Sequence, residues 1–329
     1  MKFRTLYNSA YLLACLVFCF VGMLVASDVA LAKQSKYSRK LNGEHYQFSY
    51  QWLDHRKQTQ SLSFNVSAEQ LSNSFRSFKT YKPTIANKVI TRNVHKKLSQ
   101  EDLVDVQVHY PSMVQPFDST IKITGSDELK VQKAYKKLAK IQQQEVNRYY
   151  LKHFYRPHKD HFNNSGIKVD HARVAKATIK NVKPVSKLIL EKVQIKDVRL
   201  VTNYILGFMQ SIPYDTLEST SNSSGTGFNP PMRLLYENQG DCDSKMVLTV
   251  ALLKAAMPGI KVVLIYIEQH VFIGINAIKM AGDKTVKHNN DLYVLADPTG
   301  PNVLPLGNIP TDLEIAIDQS AYVIEAYRD

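Results

Sequence analysis

The sequence predicts an α+β fold in which a buried, cysteine-bearing helix packs on an antiparallel sheet, preceded by a separate domain of mixed strands and helices. The run from Met246 to Ala256 is apolar nearly all round, as expected of a central helix. Residues 261–267, 270–277 and 292–296 are apolar and rich in β-branched side chains, and polar segments separate them. This pattern predicts successive strands of one antiparallel sheet.

The first 32 residues are expected to be a signal peptide. Two basic residues precede an apolar run over residues 11–26, and Ala30-Leu31-Ala32 offers small residues at the −3 and −1 positions of a cleavage site. The run is short for a bilayer span of ~20 residues, so an uncleaved membrane anchor is the second choice after a cleaved signal peptide. A lipoprotein site at Cys15 ranks last, because only a stunted apolar segment would precede it. We therefore expect export to a periplasm or to the outside.

Removal of the leader leaves Cys242 as the one thiol, because Cys15 and Cys19 lie within the leader. A lone cysteine has no internal disulfide partner, although export places it where disulfides usually form. Such a thiol is a liability unless it is buried or used, which draws attention to Cys242.

The net charge is +13, and the leader contributes one unit of it through Lys2, Arg4 and Asp28. A basic exported protein can be attracted to anionic envelope surfaces, and a solvated lysine-rich surface explains the charge equally well. No arginine-rich arm or interleaving of aromatic and basic residues is present, so nucleic acid is not an expected partner. The sequence does not indicate an oligomeric state.

Residues 33–190 are predicted to form the N-terminal domain, and residues 191–329 the second domain, since apolar density rises near residue 190. Lys33 to Asn42 is polar and basic and is expected to be a loose start. Alternation and capping signals then predict the regular elements. These are strands over 46–52, 61–66, 104–108 and 120–124, a helix capped by Ser67, and an amphipathic helix from Gly125 to about Tyr155.

Four histidines in the first domain raise the question of a metal site, which the sequence does not support. They are His153, His158, His161 and His171. Zinc sites need three or four convergent ligands, and this spacing matches no familiar ligand set. We expect solvated histidines, and neither a metal nor a cofactor is predicted.

Cys242 precedes the apolar helix within Gly240-Asp241-Cys242. Free backbone N–H groups and the positive end of a helix stabilise a thiolate, and they can hold the oxyanion of a tetrahedral intermediate. Gly240 would allow a tight turn and close approach of substrate. The alternative is a buried structural thiol, but the flanking Asp241, Asp243, Ser244 and Lys245 are too polar for a core position. One of the two aspartates is also expected to cap the helix.

His270 lies 28 residues after Cys242, at the start of a predicted strand. Asp297 lies 27 residues after His270, at the end of another predicted strand. One helix and two or three strands fill these intervals, so both side chains are expected at one edge of the sheet. Taken alone, a histidine or an aspartate at such a position is more often structural than catalytic. In order after the thiol, they suggest a triad in which His270 moves the proton and Asp297 orients the imidazole.

These motifs, with a helix over 197–212 that ends in Ile-Pro-Tyr, resemble the transglutaminase-like superfamily. This is a papain-like cysteine fold that includes bacterial transglutaminase-like cysteine peptidases. The resemblance covers about Asp197 to Pro305. It implies that Cys242 is the nucleophile, His270 the base and Asp297 the orienting carboxylate.

In papain-like sites a polar side chain shortly before the cysteine often donates to the oxyanion. The resemblance leaves Tyr236 and Gln239 as candidates, with Gly240 and Asp241 as further substrate-contacting candidates. It implies an exported cysteine hydrolase, a peptidase or amidase that acts on a protein or peptide through a thioester. The alternatives are a transglutaminase that joins glutamine side chains to amines and a non-catalytic binding module.

Overall fold

The computed structural model describes residues 33–114, 118–159, 163–219 and 227–328. The expected signal peptide and His161 lie outside these residues. The described chain combines helices with antiparallel sheets, which confirms the α+β class. No helix within these ranges is both long and apolar enough to cross a membrane.

The first sheet is a three-stranded antiparallel meander in which alternate residues along most of the second and third strands are buried. It consists of β1 (Gln34–Asn42), β2 (His45–Leu53) and β3 (Thr59–Ser67). Phe48, Tyr50 and Trp52 point into the core from β2. The expected strands over 46–52 and 61–66 are confirmed and pair with each other, whereas the expected loose start is wrong, since residues 34–42 form the edge strand β1.

Ser67 caps α1 (Ala68–Ser77), as expected, by accepting a hydrogen bond from the Gln70 backbone N–H. A satellite unit with its own small core follows. Its elements are α2 (Pro83–Leu98), β4 (Val106–His109), β5 (Lys122–Gly125) and α3 (Glu128–His153). The core residues are Val94, Leu98, Ile121, Ile123, Ala134, Leu138 and Ile141.

A hairpin and a long helix connect this unit to the second half of the chain. They are β6 (Tyr155–Lys159), β7 (Ser165–Val169) and α4 (His171–Val193). Residue 190, the predicted domain boundary, lies inside α4. Val182 and Ile189 of this helix belong to the same apolar core as Trp52 of the first sheet and Leu248 of the later helix. This core therefore joins residues from both sides of the predicted boundary.

The second half of the chain builds a five-stranded antiparallel sheet behind a central helix. The helices are α5 (Val198–Ser211), α6 (Pro231–Glu237), α7 (Cys242–Ala256) and α8 (Thr311–Asp318). The strands are β8 (Val262–Ile267), β9 (His270–Ile275), β10 (Thr285–His288), β11 (Asp291–Ala296) and β12 (Val323–Ala326), in the spatial order β10-β11-β9-β8-β12.

The two faces of this sheet are buried by different helices, which explains why its strands are apolar throughout. Val271 and Ile273 of β9 share the core that contains α7. Phe272 points to the opposite face, where it shares a second core with Leu313 of α8. The sheet therefore holds the start of β9 rigidly beside the first turn of α7.

Candidate active site

Cys242 is the first residue of α7, and Asp241 is its N-cap. Asp241 Oδ1 accepts the Ser244 backbone N–H at 3.0 Å and also the Ser244 hydroxyl. The same hydroxyl accepts the Asn229 backbone N–H at 2.7 Å. Of the two aspartates expected to cap the helix, Asp241 is therefore the one that does so. Its buried hydrogen bonds fix the loop that carries the thiol.

The sequence suggested that Gly240 allows a tight turn and close approach of substrate, but the structure gives a different reason for glycine at this position. Its φ angle is not among the positive ones, so no left-handed turn requires glycine here. A Cβ would lie 2.8 Å from the Leu234 side chain. Gly240 also forms an isolated parallel bridge with Tyr214. Close packing of position 240 against Leu234 of α6 therefore favours glycine two residues before the cysteine.

The structure brings His270 and Asp297 together at one edge of the sheet. His270 begins β9 and Asp297 directly follows β11, which pairs with β9. His270 Nε2 lies 3.4 Å from Asp297 Oδ2, a long contact for a hydrogen bond and within ion-pair range. Burial lowers the pKa of His270, but the neighbouring Asp297 outweighs it and the pKa is raised overall.

Asp297 is held in place by one hydrogen bond to its carboxylate and one to its backbone. Its Oδ1 accepts the Thr299 backbone N–H at 2.9 Å, and its backbone carbonyl accepts the Gln210 side-chain amide at 2.8 Å. Asp297 is almost fully buried. The oxygen that faces His270 is thus pre-positioned rather than free to turn into solvent.

The thiol of Cys242 meets the start of the histidine strand. The backbone of Val271, the residue after His270, hydrogen-bonds the half-buried thiol. Cys242 therefore lies beside the start of the strand that carries His270, and His270 in turn faces Asp297.

The sequence predicts that the helix N-terminus stabilises the Cys242 thiolate. In the structure, the surroundings of Cys242 favour the protonated thiol instead. Burial raises the pKa of the Cys242 thiol to about 12, and Asp243 and Asp241 act in the same direction. Hydrogen bonds from the backbones of Val271 and Asp243 lower the pKa but are outweighed. The thiol is therefore neutral in the resting site, so its proton must move to a base as the sulfur attacks.

The two flanking aspartates are themselves shifted. Burial raises the pKa of Asp241 to about 7 and that of Asp243 to about 6. The charge beside the thiol therefore changes across the physiological pH range.

Of the two candidate oxyanion donors, the structure ties Tyr236 to the N-terminal sheet. Its ring packs edge-on against Tyr46, and its carbonyl accepts the Tyr37 hydroxyl at 2.8 Å. Gln239 lies three residues before Cys242, and its carbonyl accepts the Asn229 amide at 3.3 Å. Gln239 is thus the better placed of the two by its position in the loop.

Lys245 was expected to flank the site as a polar surface residue, and this is wrong because the side chain is fully buried. Its Nζ donates to the Ile212 carbonyl at 2.5 Å and to the Thr299 carbonyl at 2.6 Å. Burial lowers the pKa of Lys245 to about 7, against the opposing effects of Asp297 and Asp241. The side chain clamps the end of α5 and the Asp297 turn to α7.

His171 was expected to be solvated, and it is also buried. Its Nδ1 lies 2.9 Å from the Tyr266 hydroxyl, and its Nε2 lies 3.5 Å from Asp243 Oδ2. Burial lowers the pKa of His171 to about 3, which keeps the ring neutral. His171 therefore joins the start of α4 to the first turn of α7.

The described chain is thus an α+β protein with a thiol, an imidazole and a carboxylate gathered at the N-terminus of a buried helix and one edge of an antiparallel sheet. Comparisons of the chain with protein-family models, with curated proteins and with solved structures give no match.

Proposed function

We propose that this protein is an exported cysteine hydrolase that cleaves amide bonds of a protein or peptide through Cys242, His270 and Asp297. One observation carries the proposal. The thiol is hydrogen-bonded by the residue that follows His270, and the far nitrogen of that imidazole lies 3.4 Å from a fixed carboxylate. A nucleophile, a base and an orienting group in this order are what acyl transfer requires.

In the proposed reaction, the Cys242 sulfur attacks the amide carbonyl while its proton passes to the His270 imidazole. The tetrahedral intermediate collapses, the C–N bond breaks, and His270 returns the proton to the departing amine. Water then attacks the thioester with His270 as base, which releases the acid and restores the thiol. Asp297 stabilises the imidazolium in both halves of the reaction.

The N-terminal end of α7 suits the charge that develops on the carbonyl oxygen. The first backbone N–H groups of a helix have no partner within the helix, and the helix dipole is positive at that end. An oxyanion formed at Cys242 would lie next to these groups, with the Gln239 side chain as a further candidate donor.

A papain-like, transglutaminase-like core is part of the proposal. It is supported by the packing of α7 against the antiparallel sheet and by the order of cysteine, histidine and aspartate along the chain. Export is proposed from the leader sequence, and a protein or peptide in the envelope or outside is the proposed substrate.

The test is incubation of the purified exported form with a mixed peptide library, with and without a fluorescent amine, followed by mass spectrometry of the products. Hydrolysis predicts new carboxyl termini or released ammonia that are lost in Cys242→Ala. Covalent incorporation of the amine in preference to hydrolysis would support the transglutaminase alternative. If the parent and Cys242→Ala chains gave the same products and no thiol reagent labelled Cys242 at any pH, a non-catalytic module would be the better account.

A further inference from the structure

The loop between β9 and β10 presents two large apolar side chains to solvent. Ile278 is 86% exposed and Met280 is 55% exposed. Single exposed apolar residues are ordinary on a protein surface and need no explanation. These two, however, lie on one short loop, residues 276–284, which we call the tip loop.

The tip loop is held in this position by a nearly buried ion pair. Arg199 of α5 donates from Nη2 to the Ile278 carbonyl at 3.0 Å and to the Asp283 carboxylate at 2.6 Å. The same carboxylate oxygen of Asp283 accepts the Met280 backbone N–H at 2.8 Å. The backbone of both apolar residues is therefore fixed from within, and their side chains are exposed on an ordered loop.

A third exposed apolar residue lies at the same end of the molecule. Ile195 is 61% exposed, and it belongs to the short connection between α4 and α5. This connection leads directly into the first turn of α5, where Arg199 contacts the tip loop. The two loops therefore adjoin, and we call their exposed apolar and basic residues the tip face. These residues are Ile195, Lys196, Ile278, Lys279 and Met280.

The segments that form the tip face carry more positive than negative charge. Arg199 is paired with Asp283, and Lys284 is paired with Glu314. The other carboxylate of these segments, that of Asp197, caps α5. Three further lysines are exposed, and these are Lys192, Lys196 and Lys279. The tip face thus combines apolar side chains with an excess of positive charge.

The tip face lies at the end of the fold opposite the candidate active site. Strand β9 runs from His270 to the tip loop, and its six residues span ~20 Å. Helix α5 runs over ~21 Å from the tip face to the 213–215 segment, which bridges to Gly240 before the cysteine. A protein docked by its tip face would therefore hold Cys242 on the side away from the surface.

The small size of the tip face decides between the kinds of partner. A stable protein interface buries about 800 Å² on each partner, far more than three side chains on two loops present. A lipid surface needs no matching shape, so a few apolar side chains with basic neighbours are sufficient for reversible binding. The lysine stems can lie along the inserted apolar surface while their ammonium groups stay among the headgroups.

We propose that the tip face docks the exported protein on an anionic lipid surface. Ile278 and Met280 insert at the level of the headgroups, and the exposed lysines lie against the lipid phosphates. The docking does not depend on the proposed hydrolase function. Only the conclusion that an active site faces away from the lipid rests on that function.

The test measures co-sedimentation of the chain in its exported form with two kinds of vesicle. One kind is phosphatidylcholine alone, and the other is phosphatidylcholine mixed with phosphatidylglycerol. At low salt we expect the anionic vesicles to bind at least about tenfold more tightly, and the difference should shrink as salt screens the lysines. Equal binding to both vesicles, or no binding to the anionic ones, would overturn the proposal.

The double variant Ile278→Ser/Met280→Ser removes the two apolar side chains and keeps every charge. It is expected to weaken binding to anionic vesicles by about tenfold or more, because two large side chains no longer leave water. The matched control is Leu129→Ser/Leu151→Ser, which removes two exposed leucines from α3 and should bind as the parent does. Equal losses in the two double variants, or no loss in the first, would refute insertion of the tip loop.

A second pair of variants tests the lysines. Lys196→Gln/Lys279→Gln is expected to weaken binding to anionic vesicles roughly fivefold for each lysine at low salt, and to leave binding to neutral vesicles unchanged. Lys136→Gln/Lys140→Gln, at exposed positions of α3, changes the net charge equally and is the control. Equal effects in the two variants would show that net charge, and not the tip face, attracts the lipid.

An environment-sensitive dye on Ile278→Cys, in the Cys242→Ala chain, reports insertion directly. Its emission should shift to the blue with anionic vesicles, whereas the same dye on Leu129→Cys should not respond. Binding without a shift at position 278 would place the docking surface elsewhere. A lipid-free dimer that Ile278→Ser/Met280→Ser dissociates would assign the tip face to a second copy of the chain. Binding to immobilised polyglutamate and not to vesicles would assign it to an acidic protein, and either result would overturn the proposal.

Discussion

His270 Nε2 lies 3.4 Å from Asp297 Oδ2, across the neighbouring strands β9 and β11. The other carboxylate oxygen is fixed by the Thr299 backbone N–H, so the contact does not depend on a flexible side chain. Asp297 raises the pKa of His270 although burial of the imidazole acts against this. The pair therefore forms an orienting contact in which the carboxylate favours the protonated imidazole.

Asp297→Asn is expected to lower the pKa of His270, because the raising effect of the carboxylate is lost while burial remains. NMR titration of the imidazole in the exported form measures this without a substrate. If the proposed reaction is correct, amide hydrolysis should fall by up to about 10⁴-fold, since the imidazole is no longer held in the required tautomer.

Asp312→Asn is the matched control for this change. Asp312 also raises the pKa of His270, but only as a more distant charge without a hydrogen bond. Its replacement should lower the pKa less than Asp297→Asn does. Equal shifts in the two variants would argue that Asp297 acts as one charge among several rather than as the orienting partner.

Cys242 alkylation is expected to be slow near neutral pH and to accelerate as the pH rises, since the pKa of the thiol is raised to about 12. Asp243→Asn removes the larger of the two charge effects that raise this pKa. It should therefore increase the rate of labelling by iodoacetamide at pH 8. Asp318→Asn, at a remote carboxylate, should leave the rate unchanged, and a slower reaction of Asp243→Asn would contradict the assigned cause.

The sequence predicted the parts of the fold whose patterns are local. The alternation over 46–52, the Ser67 cap and the apolar strands after residue 260 each carry their own signal, and the structure contains all three. Helix α4 was not predicted, because Pro184 lies inside it and its lysines form a basic run. The packing of α4 along α7, which brings residues before 190 into the common core, has no local signature.

The candidate active site shows the same difference between features with a local sequence signal and features that depend on distant segments. The order and spacing of Cys242, His270 and Asp297 were sufficient to expect their approach, since strand pairing brings the ends of neighbouring strands together. The burial of Lys245 and His171 was not foreseen. Each is polar by residue type, and its partners are carbonyl, hydroxyl or carboxylate groups distant in the sequence. The apolar character of nearly the whole helix surface is the one sequence signal that points to a buried Lys245.

Strand β1 is expected to hold the loop that precedes the cysteine. Gln34 and Asn238 exchange hydrogen bonds of 3.0 and 2.7 Å, which tie the start of β1 to the end of α6. Gln34→Ala removes both and should cost about 1–2 kcal/mol of stability. Amide hydrogen exchange at residues 239–241 should accelerate. Gln47→Ala, at an exposed glutamine on β2, is the control, and equal exchange in the two variants would refute the tether.

Gly300 allows the turn after Asp297 to approach α5 closely. Its φ is +71°, and a Cβ would lie 2.6 Å from the Gln210 carbonyl oxygen. Gly282 has a φ of +87° with nothing within 4 Å of a Cβ. Gly282→Ala should therefore cost only the left-handed strain, roughly 1–2 kcal/mol, whereas Gly300→Ala should cost more and displace Asp297. Urea denaturation of both variants tests this, and equal losses would argue against the close approach.

Lys245 is expected to make stability depend on pH in a defined direction. The pKa of Lys245 is about 7 in the fold, below the ordinary value of 10.5, so the folded chain binds fewer protons than the unfolded chain between these values. Its contribution to the free energy of unfolding should therefore increase as the pH rises above 7, by at most about 1.4 kcal/mol per pH unit. Below pH 7 the contribution should be constant.

Lys245→Met isolates this effect, because it keeps an unbranched side chain and removes the titrating amine. Urea denaturation of the two chains at pH 6, 7, 8 and 9, both carrying Cys242→Ala so that the thiol does not titrate, gives the difference in unfolding free energy. Lys245→Met should be the less stable of the two, since it leaves the Ile212 and Thr299 carbonyls without their donor. The gap should widen from pH 7 to pH 9. A gap that stays constant or narrows over that interval would show that the buried amine does not titrate as its surroundings require.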